Sequence, residues 1–190
     1  ESKEFYCDVI ADEAKKMNRM VQKLLTLNQI EFGNNQLSMQ RFDVCQMIQN
    51  KINSSQILFK KKNNTVIFEE EAPVYVWADE FKIEEVVTNY TSNALNHLDG
   101  EKEIEIRVLT EENHVKVTVF NTGTPIPEED IPNLWNKFYK VDKARTREYG
   151  GSGIGLSIVK AIMEGLHQQY GVQNYDNGVE FWFTLDRKNQ

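Results

Sequence analysis

The sequence contains no apolar run close to the roughly 20 residues that cross a bilayer, and no signal peptide opens it. Cysteine is scarce, with 2 among 190 residues, which favours reduced thiols in a cytosolic protein over a disulfide framework. The 3 histidines lack metal-ligand spacing, so no zinc site is expected. A formal net charge of -7 argues against general nucleic-acid binding.

The sequence does have the composition of an ordinary globular domain, with 40% hydrophobic and 27% charged residues. Its length allows one medium-sized domain, or a small domain with an added helix. The first residue is Glu1 and not methionine, so we expect a piece of a longer protein. Several of the basic residues cluster locally, between Lys137 and Arg147.

Residues 2–32 contain no glycine or proline and predict one long helix. Its apolar residues alternate at spacings of four and three, as in a coiled-coil seam: Ile10, Ala14, Met17, Val21 and Leu24. Such a wide apolar stripe needs a partner. The helix could pack on the rest of the domain, or it could be half of a helical hairpin that dimerises in the intact protein, which we favour. Gly33 ends the helix and opens a linker.

After the linker, strand and helix signals alternate. Strands are predicted at residues 36–42, 65–68, 74–77, 103–108, 115–119 and 179–185. Helices are predicted at residues 44–60, from Asp79 to about Leu98, and from Ile154 onward. Period-two alternation indicates that 103–108 and 115–119 form an antiparallel hairpin with one solvated face. The pattern predicts an α/β fold, a two-layer sandwich of a mixed, mostly antiparallel sheet with helices on one face.

Residues 122–151 differ, because they carry Pro125, Pro127, Pro132 and only a brief helical signal at 131–138. Long irregular segments inside compact domains are usually lids or binding loops. We expect a lid at residues 124–149 that is mobile without a ligand and protected with one.

The lid leads into a glycine-rich run. Gly151, Gly153 and Gly155 let backbone N–H groups crowd together, and the following helix directs its positive end at them, which suits phosphate. The run lacks the Lys-Ser/Thr of a P-loop and does not follow a strand, so a tight turn is the alternative.

Three asparagines are candidate ligands. Asn89 and Asn93 are four residues apart on one helix face, and an amide oxygen suits Mg²⁺. Hydrogen bonding to the sheet is the alternative for this pair. Asn121 follows a strand and can accept from and donate to a planar base edge, while Gly123 permits close approach of a flat ring. A plain strand-ending turn is the alternative there.

The order of these pieces resembles that of sensor histidine kinases from bacterial two-component systems, which share an ATP-binding fold with gyrases, chaperones and mismatch-repair ATPases. The N box, first glycine box, F box and second glycine box of that family match residues 84–97, 121–126, 134–140 and 150–156. The opening helix resembles the second helix of the family's dimerisation hairpin. The resemblance therefore divides the chain into a partial hairpin at 1–32 and an ATP-binding catalytic domain at 33–190.

The resemblance implies a role for each site residue. Asn93 would bind Mg²⁺, Asn89 would support the metal or the phosphates, and Asn121 would recognise adenine. Phe138 and Tyr139 would anchor the lid, while Lys140 would reach the terminal phosphates. The implied ATP-binding set is Asn89, Asn93, Asn96, Asn121, Gly123, Ile126, Phe138, Tyr139, Lys140, Arg145, Gly151, Ser152, Gly153, Ile154, Gly155 and Leu156, with Asn89 and Lys140 as catalytic residues.

Two positions depart from the family pattern. Most relatives have aspartate where this chain has Asn121, and lysine is common where Asn96 stands, so a degenerate binding module is one alternative. An ATPase is another. The related ATPases place a glutamate four residues before the metal-binding asparagine, whereas this chain has Asn89, which cannot take a proton near neutral pH.

The resemblance also implies a reaction and its partners. The γ-phosphoryl group of ATP would pass to a histidine on the first hairpin helix and then to an aspartate of a response-regulator receiver domain. His97, His114 and His167 do not fit that acceptor, so the chain would hold the donor site alone. We expect a homodimer through the hairpin helices, a cytoplasmic location, no nucleic-acid partner, and membrane contact only through segments absent here.

Overall fold

The computed structural model describes residues 2–32, 37–60, 64–69, 72–141 and 152–187. The first half contains helix α1 (Ser2–Phe32), strand β1 (Met39–Asp43), helix α2 (Val44–Lys60), strands β2 (Thr65–Phe68) and β3 (Tyr75–Asp79), and helix α3 (Glu80–His97). The second half contains strands β4 (Glu103–Thr110) and β5 (His114–Thr122), a 3-10 turn (Ile131–Asn133), helix α4 (Gly155–Gly165), and strands β6 (Tyr170–Tyr175) and β7 (Gly178–Asp186).

The described strands form one mixed sheet in the order β1-β3-β7-β5-β4-β2, with β6 also paired to β7. Strand β2 runs parallel to β4, and the other pairings are antiparallel. The predicted α/β fold with a mixed, mostly antiparallel sheet is confirmed. The sequence pattern did not predict β6, which forms a hairpin with β7.

Helix α3 packs on the apolar rows of β5 and β7. Its Tyr90 is fully buried, with its ring centroid 5.3 Å from that of Phe181. The Tyr90 hydroxyl donates a hydrogen bond of 3.2 Å to the Trp182 carbonyl, which satisfies the polar end of the side chain. Asp79 begins the helix as predicted, because its carboxylate accepts from the Lys82 N–H at 3.2 Å. These contacts fix one face of α3 on the sheet.

Helix α1 has two different halves. Near its C-terminal end, Leu27 is only 1% exposed and belongs to the core, and the helix packs on α4. Glu31 forms an ion pair of 2.6 Å with Lys137. Three residues of the predicted seam are instead exposed: Ile10, Met17 and Val21. Packing on the domain therefore describes the C-terminal half, and dimerisation through the seam stays a prediction.

Other expectations need correction. The brief helical signal at 131–138 corresponds to a single 3-10 turn at Ile131–Asn133. Separate turns follow it, with the Asn136 N–H donating to Asn133 and the Tyr139 N–H to Asn136, and these do not join into a helix. Neither cysteine is in a disulfide, as expected, but Cys7 is exposed and only Cys45 is buried. None of the described helices is both long and apolar enough to span a bilayer.

Candidate functional site

A cavity of about 400 Å³ lies between α3, the segment at 124–141 and the N-terminal end of α4. Val179 and Phe181 of β7 contribute apolar lining. The predicted site residues that line it are Asn89, Asn93, Asn96, Asn121, Ile126, Tyr139, Lys140, Ser152, Gly153, Gly155 and Leu156. Segments that are far apart in sequence and match the four boxes therefore surround one cavity.

Three predicted residues lie beside the cavity and not in its lining. Gly123 brings the end of β5 against α3, since a Cβ there would lie 2.6 Å from the His97 carbonyl oxygen. Phe138 is 52% exposed, and Ile154 is fully buried as the residue preceding α4. Two further predicted residues, Arg145 and Gly151, fall outside the described residues.

One end of the cavity, which we call the Asn121 end, is formed where β5 ends. Asn121 is 3% exposed, and its amide nitrogen donates to the Thr122 carbonyl at 3.1 Å. Because a carbonyl can only accept, this contact fixes which way the amide points. The Asn121 oxygen accepts no hydrogen bond from the described residues and stays available as an acceptor.

Ile126 of the same end is held by a residue of β6. Its N–H donates to the Asn174 side-chain oxygen at 2.9 Å, and its carbonyl accepts from the Asn174 nitrogen at 2.7 Å. Asn174 is absent from the predicted site. Because β6 itself was not predicted, no local sequence signal pointed to Asn174.

The opposite end, which we call the Gly153 end, contains the start of α4. Gly153 has a φ of +68°, and a Cβ there would lie 2.9 Å from the Phe138 backbone. The Phe138 N–H donates to the Gly153 carbonyl at 2.8 Å. This bond joins the described part of the lid, residues 124–141, to the glycine run that follows the lid. Among the described residues no side chain caps the first turn of α4, which leaves N–H donors available for an anion.

Asn89 and Asn93 differ in their hydrogen-bond partners. The Asn89 nitrogen donates to the Glu85 carbonyl at 2.9 Å, and its oxygen lies 2.9 Å from where a Gly155 Cβ would stand. Asn89 therefore packs α3 directly on the start of α4. The Asn93 amide, one turn further, has no hydrogen-bond partner within the part of the chain that the structure describes.

An open amide fits a hard cation such as Mg²⁺. Within the described residues no three His, Cys, Asp or Glu side chains are grouped to hold a metal. A cation beside Asn93 would therefore take most of its ligands from water and from a bound anion.

The charge of the lining is opposite to that of the chain. Lys23 and Lys140 line the cavity, and none of the described lining residues is acidic, although the net charge is -7. Burial lowers the pKa of the Lys23 ammonium, and the nearby Glu85 carboxylate partly opposes that shift. Burial likewise raises the pKa of Glu85. The lining thus favours an anionic ligand.

Tyr139 forms a hydrogen bond within the described part of the lid, residues 124–141. Its hydroxyl donates to the Asp130 carboxylate, and this hydrogen bond raises the pKa of Tyr139. The ring also lines the cavity, next to Lys140. The predicted anchoring position therefore has a defined partner. Whether the lid moves on ligand binding stays a prediction.

Sequence comparison bears on the same residues. The family described as histidine kinase-, DNA gyrase B-, and HSP90-like ATPase matches residues 78–189. The sensor protein kinase WalK of Staphylococcus epidermidis is 30% identical over 184 residues, which cover 95% of this chain and 30% of WalK. The chain therefore spans less than a third of the length of this curated relative.

Solved structures agree with that family. The catalytic domain of the histidine kinase ThkA aligns with a TM-score of 0.71 at 26% identity, covering 79% of this chain and 96% of that domain. ThkA in complex with the response regulator protein TrrA aligns with a TM-score of 0.77 at 25% identity, covering 96% of this chain and 51% of that one. The longer alignment extends the similarity to nearly the whole chain.

Proposed function

Because the chain belongs to the histidine kinase-, DNA gyrase B-, and HSP90-like ATPase family, we propose that it is the ATP-binding catalytic part of a sensor histidine kinase. In this proposal it donates the γ-phosphoryl group of ATP to a histidine on another segment, from which the group passes to a response-regulator aspartate. The observation that carries the proposal is a cavity lined by two lysines and no described carboxylate in an acidic chain.

We place adenine at the Asn121 end and the phosphates at the Gly153 end. The free acceptor oxygen of Asn121 suits the exocyclic amine of adenine, and Val179 and Phe181 suit its apolar faces. The uncapped start of α4 and Lys140 suit phosphate oxygens. From Asn89 to His97 the side of α3 covers about 12 Å, which is enough for an extended nucleotide.

Asn93 would hold the Mg²⁺ ion, with Asn89 placing the start of α4 beside it. The ion would neutralise charge between the phosphates. The described residues then contribute by position and charge: Lys140 faces the terminal phosphate and the α4 amides face the others. Asn89 stands where hydrolysing relatives carry a base, so this site favours transfer to a docked side chain over attack by water.

We further propose that residues 1–32 are the second helix of a dimerisation hairpin and that 33–190 is the catalytic domain. The exposed seam at Ile10, Met17 and Val21 supports a helical partner. A homodimer through this seam, a receiver domain as the second partner and a cytoplasmic location belong to the same proposal.

Transfer of label from γ-labelled ATP tests the function. The chain alone should not label itself, because His97 lies at the Asn121 end, His114 begins β5 and His167 follows α4, so none is on α1. A histidine-bearing hairpin from the same protein should become labelled, weakly because the covalent tether is missing. The product should be acid-labile and alkali-stable. Strong self-labelling, or rapid phosphate release without the hairpin, would contradict the proposal.

A further inference from the structure

Lys23 is the only residue of α1 among the described lining residues of the cavity. Helix α1 lies outside the region at 78–189 that matches the ATPase family. A cation in the cavity thus comes from a different part of the chain than the rest of the site. Only the packing of α1 on the domain brings Lys23 to the cavity.

The position of Lys23 within the cavity follows from its neighbours. Its electrostatic partner Glu85 lies one turn before Asn89 on α3, and Asn89 touches Gly155 at the start of α4. Lys23 therefore lies towards the Gly153 end, away from Asn121. Two sides of that end already carry positive potential, from Lys140 and from the start of α4.

Lys23 also differs from the other lysines of α1. Lys15 and Lys16 are exposed and pair with Asp12 and Glu13 at 3.2 Å and 2.6 Å. Lys23 is partly buried and forms no direct ion pair with a described carboxylate, while burial lowers the pKa of its ammonium. Glu85 offsets the cost of this partial burial only in part, so a ligand that adds negative charge would stabilise the Lys23 ammonium further.

We infer that Lys23 binds the nucleotide phosphates, so that α1 completes the site and a bound nucleotide strengthens the packing of α1 on the catalytic domain. The second half follows from reciprocity, since a helix that improves nucleotide binding is itself stabilised by the nucleotide. The ion pair between Glu31 and Lys137 holds the far end of α1 in place, eight residues beyond Lys23. This inference rests on the proposed function.

Calorimetric titration of the chain with Mg-ATP and with adenosine tests it. Lys23→Met should weaken Mg-ATP binding about tenfold, the loss expected for one charge-assisted hydrogen bond, and leave adenosine binding unchanged. Lys16→Met is the matched control, because it removes a lysine two turns earlier on α1, and it should change neither affinity. Hydrogen exchange of residues 20–30 should slow with Mg-ATP in the wild type and slow less in Lys23→Met.

The outcomes are distinguishable. If the wild type binds no ATP, the proposed function and this inference fall together. If it binds ATP and Lys23→Met binds equally well, only the inference falls. Equal weakening of ATP and adenosine, or a lowered unfolding temperature with unchanged ATP selectivity, would show that Lys23 is merely structural. Unchanged exchange of α1 on ATP binding would overturn the coupling.

Discussion

The Asn121 and Gly153 ends of the cavity are held in place in different ways. At the Asn121 end, Asn121 lies in β5 itself and donates to Thr122 at 3.1 Å, and Ile126 is tied to Asn174 of β6 at 2.9 and 2.7 Å. Beside the lining, the Gly123 N–H donates to the Asn177 carbonyl in the β6–β7 turn at 3.0 Å. At the Gly153 end, the lining comes from helices α1, α3 and α4 and from the segments on either side of residues 142–151. The hydrogen bond from the Phe138 N–H to the Gly153 carbonyl, at 2.8 Å, joins these two segments.

This difference indicates that the two ends respond differently to a ligand. The Asn121 end is built on strands with buried side chains and should be largely formed before binding. The Gly153 end is lined by positive groups from separate elements, so a bound anion should add contacts that join those elements. Adenosine, which lacks phosphates, reports on the first end alone. Mg-ATP reports on both.

The largest expected effect is at the Gly153 end. Asn93→Ala removes the open amide proposed to hold Mg²⁺, and disturbing the surroundings of a metal typically costs about 10–100-fold in affinity. We expect at least that loss for Mg-ATP, with adenosine binding unchanged, measured by calorimetry. Chelating Mg²⁺ should reproduce the loss in the wild type. Equal affinities for ATP in mutant and wild type, or no effect of the chelator, would remove Asn93 from the metal site.

Asn121→Leu should act on the other end and more moderately. Leucine has a similar volume but cannot accept a hydrogen bond, so adenosine and ATP should both bind about tenfold more weakly. The Thr122 carbonyl still accepts from the Asp99 N–H at 3.1 Å, which limits damage to the fold. Thermal unfolding checks that limit.

Inosine triphosphate sharpens this test, because it carries an oxygen where adenine carries its amine. The wild type should prefer ATP over inosine triphosphate, and Asn121→Leu should lose that preference. Asn121→Asp is the matched control, since a carboxylate keeps the acceptor and should keep the preference. If Asn121→Leu retains the preference, adenine is recognised elsewhere.

Local sequence patterns predicted most of the fold. Helix α1, the cap at Asp79 and the β4–β5 hairpin each have a period or a capping residue that lies within the element itself. Strand β6 lacks such a pattern. Its Gly171 lies against the Trp182 indole, where a Cβ would be 2.6 Å from the ring. Glycine is therefore required by the packing, but it is uncommon in strands and weakens the sequence pattern that would predict one.

The same limit applies to the site. The boxes identified the members that share a helix or a turn, such as Asn89 with Asn93 and Gly153 with Gly155. Lys23 and Asn174 were not predicted, because their contacts depend on tertiary packing. Asn174 and Ile126 are 48 residues apart in sequence, and no residue pattern near either one predicts that they are in contact. Polar residues that support a site from another element become visible only once the sheet is assembled.

The smallest expected effect concerns Asn174, which supports the Asn121 end without lining it. Asn174→Ala removes both hydrogen bonds to the Ile126 backbone. That backbone is only partly buried, so water can replace the lost partners and the cost should stay near the low end for a hydrogen bond. We expect adenosine and ATP to bind about threefold more weakly, by equal factors. Gln173→Ala, on the opposite face of β6, should change neither affinity. A loss confined to ATP would show that Ile126 serves the phosphates, and the contrast between the two ends would fail.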